Sequence, residues 1–217
     1  MTSTVRPLRA DAAHNRERIL AAARDAFVEH GPSAPLDDIA RRAGTGIATL
    51  YRRFPDRDAL MRAVVIDALH RTAVEAERAA QEESDPFDGL VRYMRRALEI
   101  RVAAVIPALL DEISLHDEEM DLARLEGLEP VQRMITAAHR AGTLRKEVTS
   151  GDIGLLIVRL SRPMPGPFSR EANDSLSRRH LDFVVHGMRA KPARKPTFHG
   201  PSLSLGDLRK MTPRKKR

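Results

Sequence analysis

Hydroxyl and guanidinium groups cluster in a short segment near the N-terminus. Residues 47–54 are predicted to form a helix in which Leu50 and Phe54, four residues apart, make a narrow apolar stripe. Thr49, Arg52 and Arg53 fall outside that stripe. Such side chains donate hydrogen bonds to phosphate oxygens and base edges. A short helix with this outer face fits a DNA groove, so the segment is predicted to read DNA.

The residues around this helix predict how it is positioned. Residues 36–43 place apolar side chains at helical spacing, which indicates a first helix with one buried face. The segment 44–46, Gly-Thr-Gly, supplies the break between two helices of a helix-turn-helix. Pro55 is predicted to end the second helix, and Asp56 to cap the next one.

At these residues the chain resembles the DNA-binding head of the TetR family of bacterial transcriptional regulators. The resemblance covers about residues 14–65 and includes a preceding helix, roughly Asn15 to Gly31. It is carried by Asp38-Ile39-Ala40, Ala43-Gly44, Thr49-Leu50-Tyr51, Phe54-Pro55 and Ala59-Leu60, with Ile19, Ala23 and Phe27 in the preceding helix. The resemblance implies a three-helix head whose third helix lies in the major groove.

The resemblance also implies roles for single residues. Tyr51 resembles the family's phosphate-contacting tyrosine, Arg53 stands where a histidine is common, and Arg57 where a lysine is common. Ile47 and Ala48 can contact thymine methyl groups. The full predicted DNA-binding set is Thr45, Gly46, Ile47, Ala48, Thr49, Tyr51, Arg52, Arg53 and Arg57.

Four further arginines allow two interpretations each. Arg6 and Arg9 lie in a polar segment, residues 1–10, predicted to be a flexible basic arm; they could enter the minor groove or stay solvated. Arg41 and Arg42 lie on the first helix of the motif, where they could contact DNA or form a solvated face.

The predicted fold is all-α, because helical periodicity continues after the head and no strand pattern occurs. The head is assigned to 11–57, a helical body to 58–190 and a disordered basic tail to 191–217. Within the body, Asp85 with Pro86 predicts a helix start, Pro130 another, and residues 162–167 a loop.

For the body, the resemblance implies a homodimer through its last two helices, about 153–160 and 170–188. It also implies a pocket for an unidentified small-molecule effector. Candidate lining residues are Tyr93, Met94, Arg101, His116, Met134, His139 and Phe168. The two methionines fit core filling at least as well, and His139 fits a hydrogen-bonded structural group.

The net charge of +7 is concentrated at the C-terminus. Residues 188–217 contain ten Lys and Arg residues against one acidic residue, a net charge of +9, whereas residues 61–187 have a net charge of −4. The tail therefore allows an alternative function, non-specific nucleic-acid binding. The other interpretation of the tail is an inert extension.

Several classes of protein are disfavoured. There is no cysteine, and neither a glycine-rich phosphate loop nor a Gly-x-Ser-x-Gly motif is present. The eight histidines lack the spacing of a metal site, so we expect no enzyme, metal or cofactor. No apolar run is long enough to cross a membrane, and the N-terminal segment lacks the apolar core of a signal peptide. Together with the absence of cysteine, this predicts a cytoplasmic protein. The sequence thus predicts a dimeric regulator, most simply a repressor that leaves a pseudo-palindromic operator when a small molecule binds.

Overall fold

The computed structural model describes residues 6–100, 118–162, 164 and 168–190. These residues form α1 (Arg6–His30), a 3₁₀ turn (Gly31–Ser33), α2 (Leu36–Arg42), α3 (Ile47–Arg53), α4 (Arg57–Glu82), α5 (Pro86–Glu99), α6 (Glu118–Arg140), α7 (Ser150–Ser161) and α8 (Arg170–Met188). Over these ranges β-pairing is limited to one bridge between Leu144 and Arg189. The all-α prediction is confirmed. None of the described helices is long and apolar enough to span a bilayer.

Helix α1 begins earlier than the sequence predicts. It starts at Arg6 rather than near Asn15, so the part of the predicted arm from Arg6 to Ala10 is helical. Arginine, leucine and alanine are good helix formers, and Pro7 lies in the first turn, where a missing N–H costs nothing. The prediction of a flexible arm over residues 6–10 was therefore wrong. The predicted disordered tail, 191–217, lies outside the described residues.

Helix α6 corrects a second prediction. It runs from Glu118 to Arg140 and contains Pro130, which the sequence analysis placed at a helix start. A proline in a helix interior removes one backbone hydrogen bond, but the turns on either side retain theirs. The acidic first turn, with Glu118, Glu119 and Asp121, also favours a start well before the proline because carboxylates stabilise a helix N-terminus.

The chain divides into two compact units. The first contains the described residues up to Arg71 and those of 118–125; the second contains 72–100 and the residues from Glu126 onward. The boundary thus falls inside α4, beyond the end of the head expected at residue 57. The first unit has one apolar core, made of Ile19, Leu20, Ala23, Phe27, Leu36, Ile39, Leu50, Phe54, Leu60, Met61, Val64, Val65 and Met120 among others. Burying each of the larger side chains contributes about 1.5–3 kcal/mol.

The second unit packs α5 against α7 and α8 around its own core. Phe87, Leu90 and Met94 of α5 are almost fully buried, as is Leu181 of α8. The cap predicted at Asp85 is confirmed, since its Oδ1 accepts from the Phe87 amide at 2.8 Å. Arg95 pairs with the buried Asp182 carboxylate, with 3.0 Å between Nη2 and Oδ1. This ion pair joins the middle of α5 to the middle of α8.

The end of α8 is fastened to two other segments, and we call this arrangement the C-terminal joint. The Ala190 amide donates to Thr143 O at 2.9 Å, and the Arg145 amide donates to Met188 O at 3.0 Å. Arg189 lies over the Phe87 ring, 4.5 Å from its centroid, and contacts the Asp88 carboxylate. The last described residues are therefore held by backbone and side-chain contacts together.

Candidate nucleic-acid interface

The turn between α2 and α3 is built around Gly44. Its φ of +62° lies in the left-handed region that favours glycine. The Thr45 amide donates to Ala40 O at 2.9 Å and the Gly44 amide to Arg41 O at 3.0 Å. These two bonds form a Schellman motif, which satisfies the last carbonyls of α2. The break predicted at residues 44–46 is confirmed.

Arginines from outside the motif brace this turn. Arg18 of α1 donates from Nη2 to Gly44 O at 3.2 Å. Arg16, also on α1, lies over the ring of Phe54, 6.0 Å from its centroid. The turn and the end of α3 are thus both tied to α1 by guanidinium groups. Sequence reasoning missed these contacts because nothing in the local pattern of α1 indicates them.

Helix α3 presents two different faces. Leu50 and Phe54 are buried, as the apolar stripe predicts. Ile47 is half-buried and packs against the core, so only part of its side chain is available for the thymine contact predicted for it. The other residues of the turn and of α3 that are predicted to bind DNA lie at the surface. Of these, Gly46, Ala48, Tyr51, Arg52 and Arg53 are exposed, and Thr45 and Thr49 are half-exposed.

The outer face of α3 is free to bind. The Tyr51 hydroxyl and the guanidinium groups of Arg52 and Arg53 have no hydrogen-bonding or ionic partner among the described residues. Tyr51 is 48% exposed although it is a large aromatic residue. Tyr51, Arg52 and Arg53 are consecutive residues of the last turn of α3, and their exposed donors are suited to phosphate oxygens, which are the commonest protein contacts on DNA.

The arginines of α2 differ from those of α3, because they are already paired. Arg42 contacts Glu29 of α1 and Asp38 of its own helix, both at 2.7 Å, and Arg41 contacts Asp38. Although desolvation opposes it, the pKa of the Asp38 carboxyl is lowered by hydrogen bonds and charge from these two arginines. Among the described residues, Arg41 and Arg42 thus form an ion-pair network with Glu29 and Asp38, while the Arg41 side chain stays 81% exposed. Both interpretations, DNA contact and a solvated face, stay predictions.

The start of α4 combines a cap with an arginine contact. Asp56 Oδ1 accepts from the Ala59 amide at 2.7 Å, which confirms the predicted cap. Arg57, expected to contact phosphate, directs Nη1 to the carbonyl oxygens of Pro32 and Ala34, each at 2.7 Å. One of its terminal nitrogens is thus committed to the α1–α2 connection. Arg6 and Arg9 belong to the first turns of α1, and their side chains lie outside the described set.

The predicted effector residues that the structure describes have different surroundings. Tyr93 and Met94 lie in the core of the second unit, and burial raises the pKa of the Tyr93 hydroxyl. The His139 ring is half-exposed, with Nε2 3.1 Å from Arg145 O, and Phe168 is half-buried. Arg101 and His116 lie outside the described residues. Met134 lines a groove of about 240 Å³.

The grooves of the second unit involve residues that the sequence analysis did not select. The groove of about 240 Å³ lies along α4, α5 and α6, with Glu77, Pro130 and Arg133 in its lining. A wider groove of about 490 Å³ shares Glu77 and Pro130 and adds Glu126 and Val74. In the sequence, Pro130 was the residue that could have indicated these grooves. Its ring nitrogen has no hydrogen to donate to the Glu126 carbonyl, so the helix lacks one backbone bond there.

Helices α7 and α8 carry apolar residues on their outer as well as their inner faces. Ile157 and Leu181 are buried, whereas Leu155 is 64% and Phe183 is 49% exposed. Val184, next to Phe183, is also exposed. Exposed apolar patches of this kind are typical of protein–protein interaction sites.

Comparisons with known proteins agree with this architecture. Residues 19–64 match the family model for bacterial regulatory proteins of the tetR family, and residues 85–190 match that for the SbtR-like transcriptional regulator C-terminal domain. The crystal structure of the TetR transcription regulatory protein from Mycobacterium vanbaalenii is 32% identical, covering 84% of this chain and 99% of that chain with a TM-score of 0.62. That of the regulator SCO0520 from Streptomyces coelicolor is 28% identical, covering 81% and 99% with a TM-score of 0.60.

A curated relative extends the comparison. The HTH-type transcriptional repressor LfrR of Mycolicibacterium smegmatis is 40% identical over 85 residues, which are 39% of this chain and 42% of that repressor. The match therefore spans less than half of LfrR. The two family models and the 32% identical structure define a bacterial transcription regulator with a helix-turn-helix head on an all-helical body. The chain belongs to the TetR family of these regulators.

Proposed function

We propose that this protein is a dimeric repressor that binds a pseudo-palindromic operator and leaves it when a small molecule binds the body. In this proposal the head reads DNA and the remainder of the described chain dimerises and senses the effector, in the cytoplasm. The observation that carries it is the outer face of α3, where Tyr51, Arg52 and Arg53 are exposed and have no partners among the described residues.

The proposed contacts divide by chemistry. Tyr51, Arg52 and Arg53 bind phosphates, which sets affinity and its dependence on salt. Gly46, Ala48 and Thr49 approach the base edges; small side chains let the backbone come close, and the threonine hydroxyl can bond a base or a phosphate. The exposed part of Ile47, together with Thr45, completes this surface.

The test is the selection of genomic DNA fragments by the full chain and by a chain ending at Ala190. Enrichment of one short pseudo-palindrome by both chains supports operator reading by a dimeric head. Binding by the full chain alone, without sequence preference, contradicts the proposal and supports the tail-driven alternative. The described residues do not bear on that alternative, because they do not include the tail.

The proposed dimer uses the outer faces of α7 and α8. Leu155, Phe183 and Val184 would be covered by the same residues of a second copy, as a two-fold interface requires. Such an interface places two heads on two half-sites related by the same axis. Sedimentation equilibrium of the purified protein tests this, and a monomer at micromolar concentration contradicts it.

The proposed effector site is the pair of grooves that share Glu77 and Pro130. Together they offer apolar walls and several carboxylates, which suits a small molecule with both apolar and polar parts. Release of DNA requires that the effector bind the DNA-incompetent arrangement more tightly, and the shift cannot exceed that difference in binding free energy. A thermal-shift screen of metabolites and antibiotics, repeated with Glu77→Leu, tests the site. Hits that raise the Tm of both proteins equally contradict it.

A further inference from the structure

The side chain of Arg57 is turned toward the protein rather than away from it. Arg57 is the first residue of α4 and is partly buried. Its Nη1 lies 2.7 Å from Pro32 O and 2.7 Å from Ala34 O, so both hydrogens of that nitrogen are used. The two carbonyls flank Ser33, at the end of the 3₁₀ turn that leads from α1 into α2.

The α1–α2 connection has few other bonds to hold it. Pro35 occupies the N-cap position of α2, where no side chain accepts from the first amides, and Pro35 has no N–H to donate. The Ala34 amide reaches Gly31 O at 3.2 Å. Ala34 itself is fully buried, and a carbonyl left without a donor near such a residue costs free energy. Arg57 supplies the donor for this carbonyl and for its neighbour at Pro32.

We propose that Arg57 is a positioning residue for the DNA-binding head, which sets where α2 starts and thereby where α3 meets DNA. This inference rests on the proposed DNA-binding function. It replaces the phosphate contact that the family resemblance implies at this position. Arg57 acts through the carbonyls of Pro32 and Ala34, and its orientation is fixed by them whether or not DNA is bound.

The effect of Arg57 reaches α3 through rigid steps. Helix α2 follows directly on the held connection, with Leu36 and Ile39 seated in the core. The Schellman motif at Gly44 then joins α2 to α3 without a free hinge. A change in the start of α2 is therefore transmitted to the exposed donors on α3. Small misplacements of such donors weaken base and phosphate contacts without removing any positive charge from the DNA surface, so affinity falls while the salt slope is retained.

The experiment compares the wild-type protein with Arg57→Met, Arg57→Lys and Arg53→Met. Methionine keeps an apolar stem but has neither donor nor charge, whereas lysine keeps the charge and can still reach a carbonyl. Arg53→Met is the matched control, because Arg53 is exposed and has no partner among the described residues. The probe is a duplex carrying the sequence most enriched by the wild-type protein from genomic fragments. Affinity is measured across a range of salt concentrations, and hydrogen exchange of the α2 amides is measured without DNA.

For Arg57→Met we expect affinity to fall by about tenfold at every salt concentration, with an unchanged salt slope and faster exchange in α2. Arg57→Lys should recover most of the wild-type affinity and most of the wild-type protection of the α2 amides from exchange. Arg53→Met lowers the salt slope by about 0.9 for each phosphate that the variant no longer neutralises, and it leaves exchange unchanged.

Two outcomes overturn the proposal. A salt slope for Arg57→Met that falls as in Arg53→Met, with exchange unchanged, makes Arg57 a phosphate contact. Faster exchange with unchanged operator affinity makes it a local structural residue only. Absence of DNA binding by the wild-type protein refutes the proposed function instead, and in that case the exchange data alone decide whether Arg57 holds α2.

Discussion

Replacement of Gly44 by alanine tests how the turn between α2 and α3 is held. Two costs follow from the geometry. A left-handed φ of +62° costs an alanine about 1 kcal/mol relative to glycine. A Cβ at this position would lie 2.1 Å from Arg18 Nη2, so the guanidinium must leave, and its hydrogen bond to Gly44 O is broken. That exposed bond contributes up to about 1 kcal/mol, so Gly44→Ala should destabilise the first unit by about 2 kcal/mol.

Gly31→Ala is the matched control for the backbone cost. Gly31 lies in the same unit with a φ of +68°, and a Cβ there meets nothing within 4 Å. We expect Gly31→Ala to cost about 1 kcal/mol, from φ alone. In an Arg18→Met background no guanidinium is displaced. The destabilisation caused by Gly44→Ala should there fall to about 1 kcal/mol, the same as for Gly31→Ala.

The assay is native-state hydrogen exchange at the buried Ile39 and Leu50 amides, which open when the first unit unfolds. The reasoning is refuted if Gly44→Ala costs no more than Gly31→Ala. It is also refuted if the extra cost of Gly44→Ala is unchanged in the Arg18→Met background, because the destabilisation would then not come from Arg18.

Three more predictions concern the interface, the reading helix and a cap. Leu155→Glu should convert a dimer to a monomer in sedimentation equilibrium and abolish operator binding, whereas Leu128→Glu, similarly exposed on α6, should leave the mass unchanged. Tyr51→Phe should weaken operator binding by about tenfold with an unchanged Tm and an unchanged salt slope, because only a neutral donor is removed. Hydrogen bonds from the Thr149 hydroxyl and amide lower the pKa of the Asp152 carboxyl below its ordinary 3.8, so its stabilising contribution is complete above pH 3.8 and disappears as the pH falls through the lowered value. The Tm difference between wild type and Asp152→Asn should therefore shrink only below pH 3.8; a difference that is constant with pH contradicts the assignment.

The helix-turn-helix could be predicted because its determinants are local. The spacing of Leu50 and Phe54, the glycine at 44 and the cap at Asp56 each act within four residues, and each is confirmed. Propensity and periodicity operate over the same range. The reading face of α3 follows from the same spacing, although Ile47 is drawn partly into the core.

Other features depend on contacts that a sequence pattern does not encode. Arg57 meets Pro32 and Ala34 across more than twenty residues, so its partner is fixed by packing rather than by spacing. Helix α6 continues through Pro130, because the loss of one backbone hydrogen bond does not end a helix whose neighbouring turns keep theirs. Tyr93 illustrates the same difficulty for the effector site, because an aromatic residue on an amphipathic helix fits a pocket and a core equally well, and here it is buried.

The contacts of the C-terminal joint end at Ala190, whereas the residues that follow it carry more net positive charge than the whole chain. Thr143 and Met188 hold the chain up to Ala190, so a cut immediately after Ala190 leaves those backbone bonds and the contacts of Arg189 in place. Yet residues 188–217 contribute +9 to a total of only +7, and residues 1–187 alone are net negative. Residues 191–217 contain nine Lys and Arg residues and one aspartate, so proteolysis immediately after Ala190 would remove a net charge of +8 and leave residues 1–190 at −1. The full chain and the chain ending at Ala190 would therefore carry net charges of opposite sign at pH 7.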